Sequence, residues 1–194
     1  METTSISLVG VGGQGTLLTS DILARTAAIA GWDVKKSEIH GMAQRGGSVI
    51  SQVRFGTKVR SPIVSEGVSD ILVAFEKLEA VRWRSLLKDG GIAVVNDLDW
   101  TPVTVSSGLQ PAFPDTEGAL RSLYPRLVLL DAQSIAQELG NVRTANIVLA
   151  GAVSRLSPFF TVEHWLQALR ERLPAKLLDI NLRAFERGRA ANVA

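Results

Sequence analysis

The stretch Ile6-Ser7-Leu8-Val9-Gly10-Val11-Gly12-Gly13-Gln14-Gly15 decides the fold. An apolar run leads into a glycine-rich turn. Thr16 to Ala30 then carries Leu18, Ile22 and Ile29 at spacings of four and seven, the period of one helix face. Strand, tight turn and helix, in that order, begin a doubly wound α/β fold. Gly10, Gly12 and Gly15 match the spacing G-x-G-x-x-G, and Gly13 is additional. Amides at a helix start, with the positive end of its dipole, favour a phosphate or carboxylate. Two readings stand at this point. The turn binds a nucleotide, or its glycines only let strand and helix pack closely. A dinucleotide site also needs an acid about 20 residues further on, to hold the ribose. Glu38 is near that distance, after Lys35, Lys36 and Ser37.

Outward from this unit the chain alternates strand and helix signals. Asp33 to Ser37 reads as a short second strand, and residues 38–47 as a functional loop holding three glycines. Ser48 to Phe55 is a strand, and Val59 to Val64 a short edge strand on account of Pro62. Ile71 to Ala74 and Ile92 to Val95 are continuous apolar runs of the buried parallel type. Phe75 to Leu87 reads as the helix between them, ended by Asp89-Gly90-Gly91. Residues 96–125 are rich in Pro, Gly, Ser and Thr, with one short strand at Val103 to Val105. Leu127 to Leu130 is the last strand, and Asp131 caps a helix from Ala132 to Leu139. The remainder is helical: Thr144 to Leu156, an amphipathic helix capped by Thr161, and Lys176 to Arg189. The expected fold is α/β and Rossmann-like, a mostly parallel sheet of six or seven strands with helices on both faces and a helical C-terminal portion. With no repeat or linker, residues 1–194 read as a single domain.

Composition removes several function classes. Hydrophobic residues make up 46% of the 194 residues, enough for a sizeable core. The net charge of +2, with scattered basic residues, argues against nucleic-acid binding. The absence of cysteine removes disulfides, thiolate-ligated iron–sulfur clusters and a Cys nucleophile from this chain. Two histidines are too few for a protein-only zinc site, so no metal is expected. No apolar run reaches the ~20 residues that span a bilayer, and the chain starts directly in a strand. A cytoplasmic protein is the expectation.

No catalytic triad motif or P-loop is present. His40 is a candidate acid/base group, in a loop that follows a strand; a surface or interface role is the alternative. Arg45 precedes two glycines, and its guanidinium can clamp a carboxylate or phosphate, or simply be solvated. His164, in the first turn of a helix, reads as structural.

Gly10 to Gly15 followed by Ser37-Glu38-Ile39-His40-Gly41-Met42-Ala43-Gln44-Arg45-Gly46-Gly47-Ser48-Val49 resembles the gamma-domain family of the 2-oxoacid:ferredoxin oxidoreductases. The form His-Gly-Met-Ala-Gln-Arg-Gly-Gly is most similar to the indolepyruvate ferredoxin oxidoreductase beta subunits. The similarity continues through Val53-Arg54, Asp70 to Val73, Asp89 to Gly91, Asn146, Gly151-Ala152, Asn181, Ala184-Phe185 and Gly188. It implies a subunit of an oxidative decarboxylase that turns a 2-oxoacid into an acyl-CoA. Thiamine diphosphate and iron–sulfur clusters would lie on a large alpha subunit, with electrons leaving to ferredoxin. The candidate site residues are His40 and Arg45 for catalysis, and Gly10, Gly12, Gly13, Gln14, Gly15, Gly46 and Gly47 for cofactor contact; the helix start and the adjacent Arg45 cation make coenzyme A a possible ligand. An exposed apolar patch of several hundred Å² should border the glycine loops. Two other functions stay open: a free-standing NAD(P) or flavin oxidoreductase using Glu38, and a non-catalytic interaction subunit.

Overall fold

The computed structural model describes residues 2–40 and 47–191. Its centre is one sheet of six strands: β1 (Thr4–Val11), β2 (Asp33–His40), β3 (Ser48–Gly56), β4 (Ser69–Ala74), β5 (Leu87–Asn96) and β6 (Leu127–Leu130). Their spatial order is β2-β3-β1-β4-β5-β6. β1, β4, β5 and β6 pair in parallel. β3 is antiparallel to both β1 and β2, so it alone runs against the other five.

Alternation along each strand sends side chains to two cores. Ile6, Leu8, Ile71, Val73, Val94, Val128 and Leu130 face one side. There they meet α1 (Thr16–Ile29), α6 (Ala145–Leu156), α7 (Val162–Arg172) and α8 (Ala175–Ala190). Val9, Leu72, Ala74, Ala93 and Val95 face the other side. They pack against α2 (Lys77–Arg82) and α4 (Thr116–Leu123). Each large side chain so buried contributes ~1.5–3 kcal/mol relative to exposure. α6 and α8 approach backbone to backbone: a Cβ on Gly188 would overlap the carbonyl of Val148. The apolar face of the amphipathic helix α7 is buried at Trp165 and Leu169, and Thr161 and His164 cap it reciprocally, so His164 is structural. Among the described residues no helix is long and apolar enough to cross a membrane.

Several sequence expectations need correction. β2 runs on to His40, because β3 supplies backbone partners through His40↔Val49. Residues 38–40 are therefore strand. Val59 to Val64 is not a strand, since side chains take the place of a ladder there. Gln52 bonds both the amide and the carbonyl of Val64, and Arg54 donates to the carbonyls of Ser61 and Ile63. The helix expected over 75–87 is only α2 plus a 3-10 turn, Arg84–Leu86. Phe75 still donates to Val9 as an extension of the strand, and Arg84 draws in the carbonyls of Leu87 and Leu123. Asp89-Gly90-Gly91 lies inside β5 rather than ending a helix. Residues 103–105 belong to a short helix, α3 (Val103–Ser106), and α4 stands in the stretch read as loop. Asp131 caps α5 (Ala132–Glu138) as expected, accepting from the amide of Ser134.

Candidate functional site

The parallel strands end together on one edge of the sheet. β1 feeds one face through α1 and β4 feeds the other through α2, so the connections diverge between them. Ligands of open α/β sheets gather at such a switch point. A groove of about 600 Å³ opens there, lined by the turn Gly12–Gly15, Phe75, Leu98, Trp100, Arg143 and Asn146. Asn96 braces its floor: its amide donates to the carbonyl of Phe75 (3.2 Å) and its carbonyl accepts from Ala132 (3.0 Å).

The turn itself is tightly specified. Gly10 is still within β1, opposite Val49. The Gln14 side-chain carbonyl accepts from the amide of Val11 (2.8 Å), closing the turn. Gly15 sits at φ +92°, a conformation other residues rarely adopt, and the Asn146 side chain packs where its Cβ would be. Gly12 donates its amide to the carbonyl of Gly47 (2.9 Å). Among the described residues, Thr16 Oγ1, Asn146 Oδ1 and Gln14 Nε2 are buried with no hydrogen-bond partner. Thr16 and Asn146 are 3% and 5% exposed. Three orphaned polar atoms around one turn is a concentration that native cores avoid unless a ligand or water completes them.

A second groove of about 460 Å³ lies across the turn, walled by Thr16, Leu18, Val49 and Arg172. Arg172 bonds Asp21 (3.2 Å), and Lys36 bridges Asp21 and Glu38. Burial works to raise the Asp21 carboxyl, but Lys36 and Arg172 outweigh it and hold it below the usual range. Glu38 is thus engaged by Lys36, and β3 stands between its strand and β1. A dinucleotide fold has β2 directly beside β1. The inserted strand moves Glu38 away from the turn, which removes the ribose-binding geometry.

Behind the turn lies a buried acidic pair. Glu76 caps α2 through the amides of Leu78 (2.8 Å) and Glu79. Burial, reinforced by the neighbouring Glu79, pushes the Glu76 carboxyl up to about 7 against the two backbone donors. Lys77, 7% exposed, bonds Asp97 (3.0 Å) and Asp99 (2.7 Å), fixing the segment that carries Trp100.

Residues 5–191 match the family described as pyruvate ferredoxin/flavodoxin oxidoreductase. The chain belongs to the pyruvate ferredoxin/flavodoxin oxidoreductase family. Within this family it is 40% identical over 187 residues to the indolepyruvate oxidoreductase subunit IorB of Archaeoglobus fulgidus, covering 95% of this chain and 92% of that one. The keto/oxoacid ferredoxin oxidoreductase gamma subunit of Geobacter sulfurreducens superposes with a TM-score of 0.72 at 26% identity, over 95% of both chains. The fold also recurs, with a TM-score of 0.75 at 20% identity, in a 2-oxoglutarate:ferredoxin oxidoreductase of Magnetococcus marinus solved with 2-oxoglutarate, coenzyme A and succinyl-CoA. That match covers all of this chain and 32% of the larger one. The chain is a subunit of a 2-oxoacid:ferredoxin oxidoreductase, an enzyme of several subunits.

Of the residues singled out in the sequence, Gly10, Gly12, Gly13, Gln14, Gly15 and Gly47 converge on the turn. His40 ends β2 at the same edge of the sheet. Arg45 and Gly46 lie outside the described residues. The sequence reading missed Thr16 and Trp100, and met Asn146 only as a weak point of resemblance. Leu17, Trp100 and Val142 are exposed apolar side chains bordering the two grooves.

Proposed function

We propose that this chain, a single domain over 1–194, is the small subunit of an arylpyruvate (indolepyruvate-type) ferredoxin oxidoreductase and that its glycine-rich turn contacts coenzyme A. The observation that carries the ligand is the set of orphaned atoms, Thr16 Oγ1, Asn146 Oδ1 and Gln14 Nε2, around a turn at a helix start. A phosphate or amide-bearing chain such as coenzyme A supplies acceptors for amides and partners for both hydroxyl and carboxamide. The 40% identity to a subunit named for indolepyruvate supports the substrate class.

The residues do not fit the redox groups. Without cysteine the chain has no thiolate for a cluster, and among the described residues no group of three or more His, Cys, Asp or Glu is placed to hold a metal ion. Thiamine diphosphate, which supplies the decarboxylation chemistry, and the clusters that pass electrons to ferredoxin belong in this reading to a large alpha subunit. This chain binds and orients coenzyme A, and its apolar rim at Leu17, Trp100 and Val142 excludes water where the partner closes. Arg45, on the segment bracketed by His40 and Gly47, acts as a clamp for an anionic group. His40 is the candidate proton carrier.

The test is reconstitution. Arylpyruvate-dependent, coenzyme A-dependent dye reduction is expected only when both chains are present, with the two chains co-purifying. Full activity from the large chain alone would overturn the proposal.

A further inference from the structure

Glu79 lines neither of the two grooves, yet it is built into the wall behind them. It is 2% exposed. Its carboxylate accepts the hydroxyl of Ser48, the indole N–H of Trp83 (3.1 Å) and the guanidinium of Arg82. A buried carboxylate is costly unless several donors satisfy it. The local needs of α2 do not call for it, because Glu76 already caps the helix. What Glu79 holds is Ser48. That residue opens β3 and lies opposite Val11, the last residue of β1 before the turn. The Trp83 indole N–H also reaches Ser48 Oγ (3.1 Å), so two groups of the α2 region fix one hydroxyl. One residue earlier, the Gly47 carbonyl takes the Gly12 amide (2.9 Å). A continuous chain of bonds and backbone therefore runs from Glu79 through Ser48 and Gly47 to Gly12.

We propose that Glu79 is a positioning residue for the ligand site: by holding Ser48 it docks Gly47 on the Gly12 amide and fixes the direction in which the glycine-rich turn presents its remaining amides. This rests on the reading of the turn as a coenzyme A contact. The physical effect is preorganisation. A turn held in its binding conformation spends less of the binding free energy on ordering. Loss of the brace weakens the ligand that the turn holds and leaves the substrate held by the partner chain untouched.

The experiment uses the reconstituted two-chain enzyme and measures KM for coenzyme A, KM for the arylpyruvate and kcat. The variants are Ser48→Ala, Ser48→Thr and Glu79→Gln. For Ser48→Ala and Glu79→Gln, KM for coenzyme A is expected to rise about three- to tenfold, the size of one lost hydrogen bond. The arylpyruvate KM and kcat should stay near wild type, and Ser48→Thr, which returns the hydroxyl, should restore the coenzyme A KM. Should Glu79→Gln fail to fold, Ser48→Ala and Ser48→Thr carry the test. An unchanged coenzyme A KM in Ser48→Ala, or equal losses for both substrates, overturns the inference. Gly15→Ala separates the two levels. If it raises the coenzyme A KM and Ser48→Ala does not, the brace is wrong and the site stands. If neither does, both are wrong.

Discussion

The side chain of Asn146, at the start of α6, packs directly over Gly15, at the start of α1, and fills the space a Cβ would need. Two residues 131 apart in sequence thus share one surface of the ligand groove.

Gly15→Ala meets two obstacles at once: a positive φ and the Asn146 carboxamide. Forcing a side chain into such a conformation costs on the order of 1–3 kcal/mol. The melting temperature should fall by roughly 2–10 °C, read by calorimetry. Asn146→Gly in the same chain should recover part of the loss, because it clears the steric half of the problem and leaves the backbone half.

Glu76 sets a pH dependence of stability. Its carboxyl titrates near 7 in the folded chain against an ordinary value of 4.5. An acid with a raised folded value stabilises the fold while protonated. Between pH 4.5 and 7 the unfolded chain loses its proton first, so this contribution falls as pH rises and is flat above. Glu76→Gln should remove that decline, leaving the variant more stable relative to wild type at pH 8 than at pH 4. Urea unfolding at the two pH values measures it, and an identical difference at both would rule out the assignment.

Gly188→Ala should destabilise through the helix pair rather than the site. Its Cβ would overlap the Val148 carbonyl, so α6 and α8 must separate. Overpacking of this kind costs about 1–3 kcal/mol. Thermal denaturation should show the loss, while coenzyme A KM in the assembled enzyme stays unchanged.

Lys77→Met leaves Asp97 and Asp99 without their shared cation. Both carboxylates reach solvent and rehydrate, so the loss should be only about 0–1 kcal/mol. Hydrogen exchange should speed up at residues 97–100, the segment that carries Trp100, more than in the sheet core.

Much of the fold was readable from local pattern. Ile6 to Val9, Ile71 to Ala74 and Leu127 to Leu130 are short, largely apolar runs that read as buried strand and are strand, and Trp165 and Leu169 lie on one helix face. In two of the misread stretches, side chains do the work of backbone. Gln52 and Arg54 hold residues 61–64 without a ladder, and Arg84 draws the chain out of helix before Leu87. Bonds from side chains to backbone leave no mark on the hydrophobic period. The site divided in the same way. Gly12 to Gly15 announced themselves, whereas Thr16 and Asn146 became site residues only once folding set their buried, unpartnered atoms beside the turn.

The sequence by itself determined the strand-turn-helix start, the α/β class and the exclusion of any thiolate-held cluster, because each follows from residue type and near-neighbour spacing. The tertiary structure alone decided that β3 enters between β1 and β2 and turns Glu38 away from the turn. It also decided that Ser48, Glu79 and Asn146 gather around the same glycines. Strand adjacency and orphaned polar atoms are products of long-range packing, which burial of the two cores sets and which no window along the chain contains.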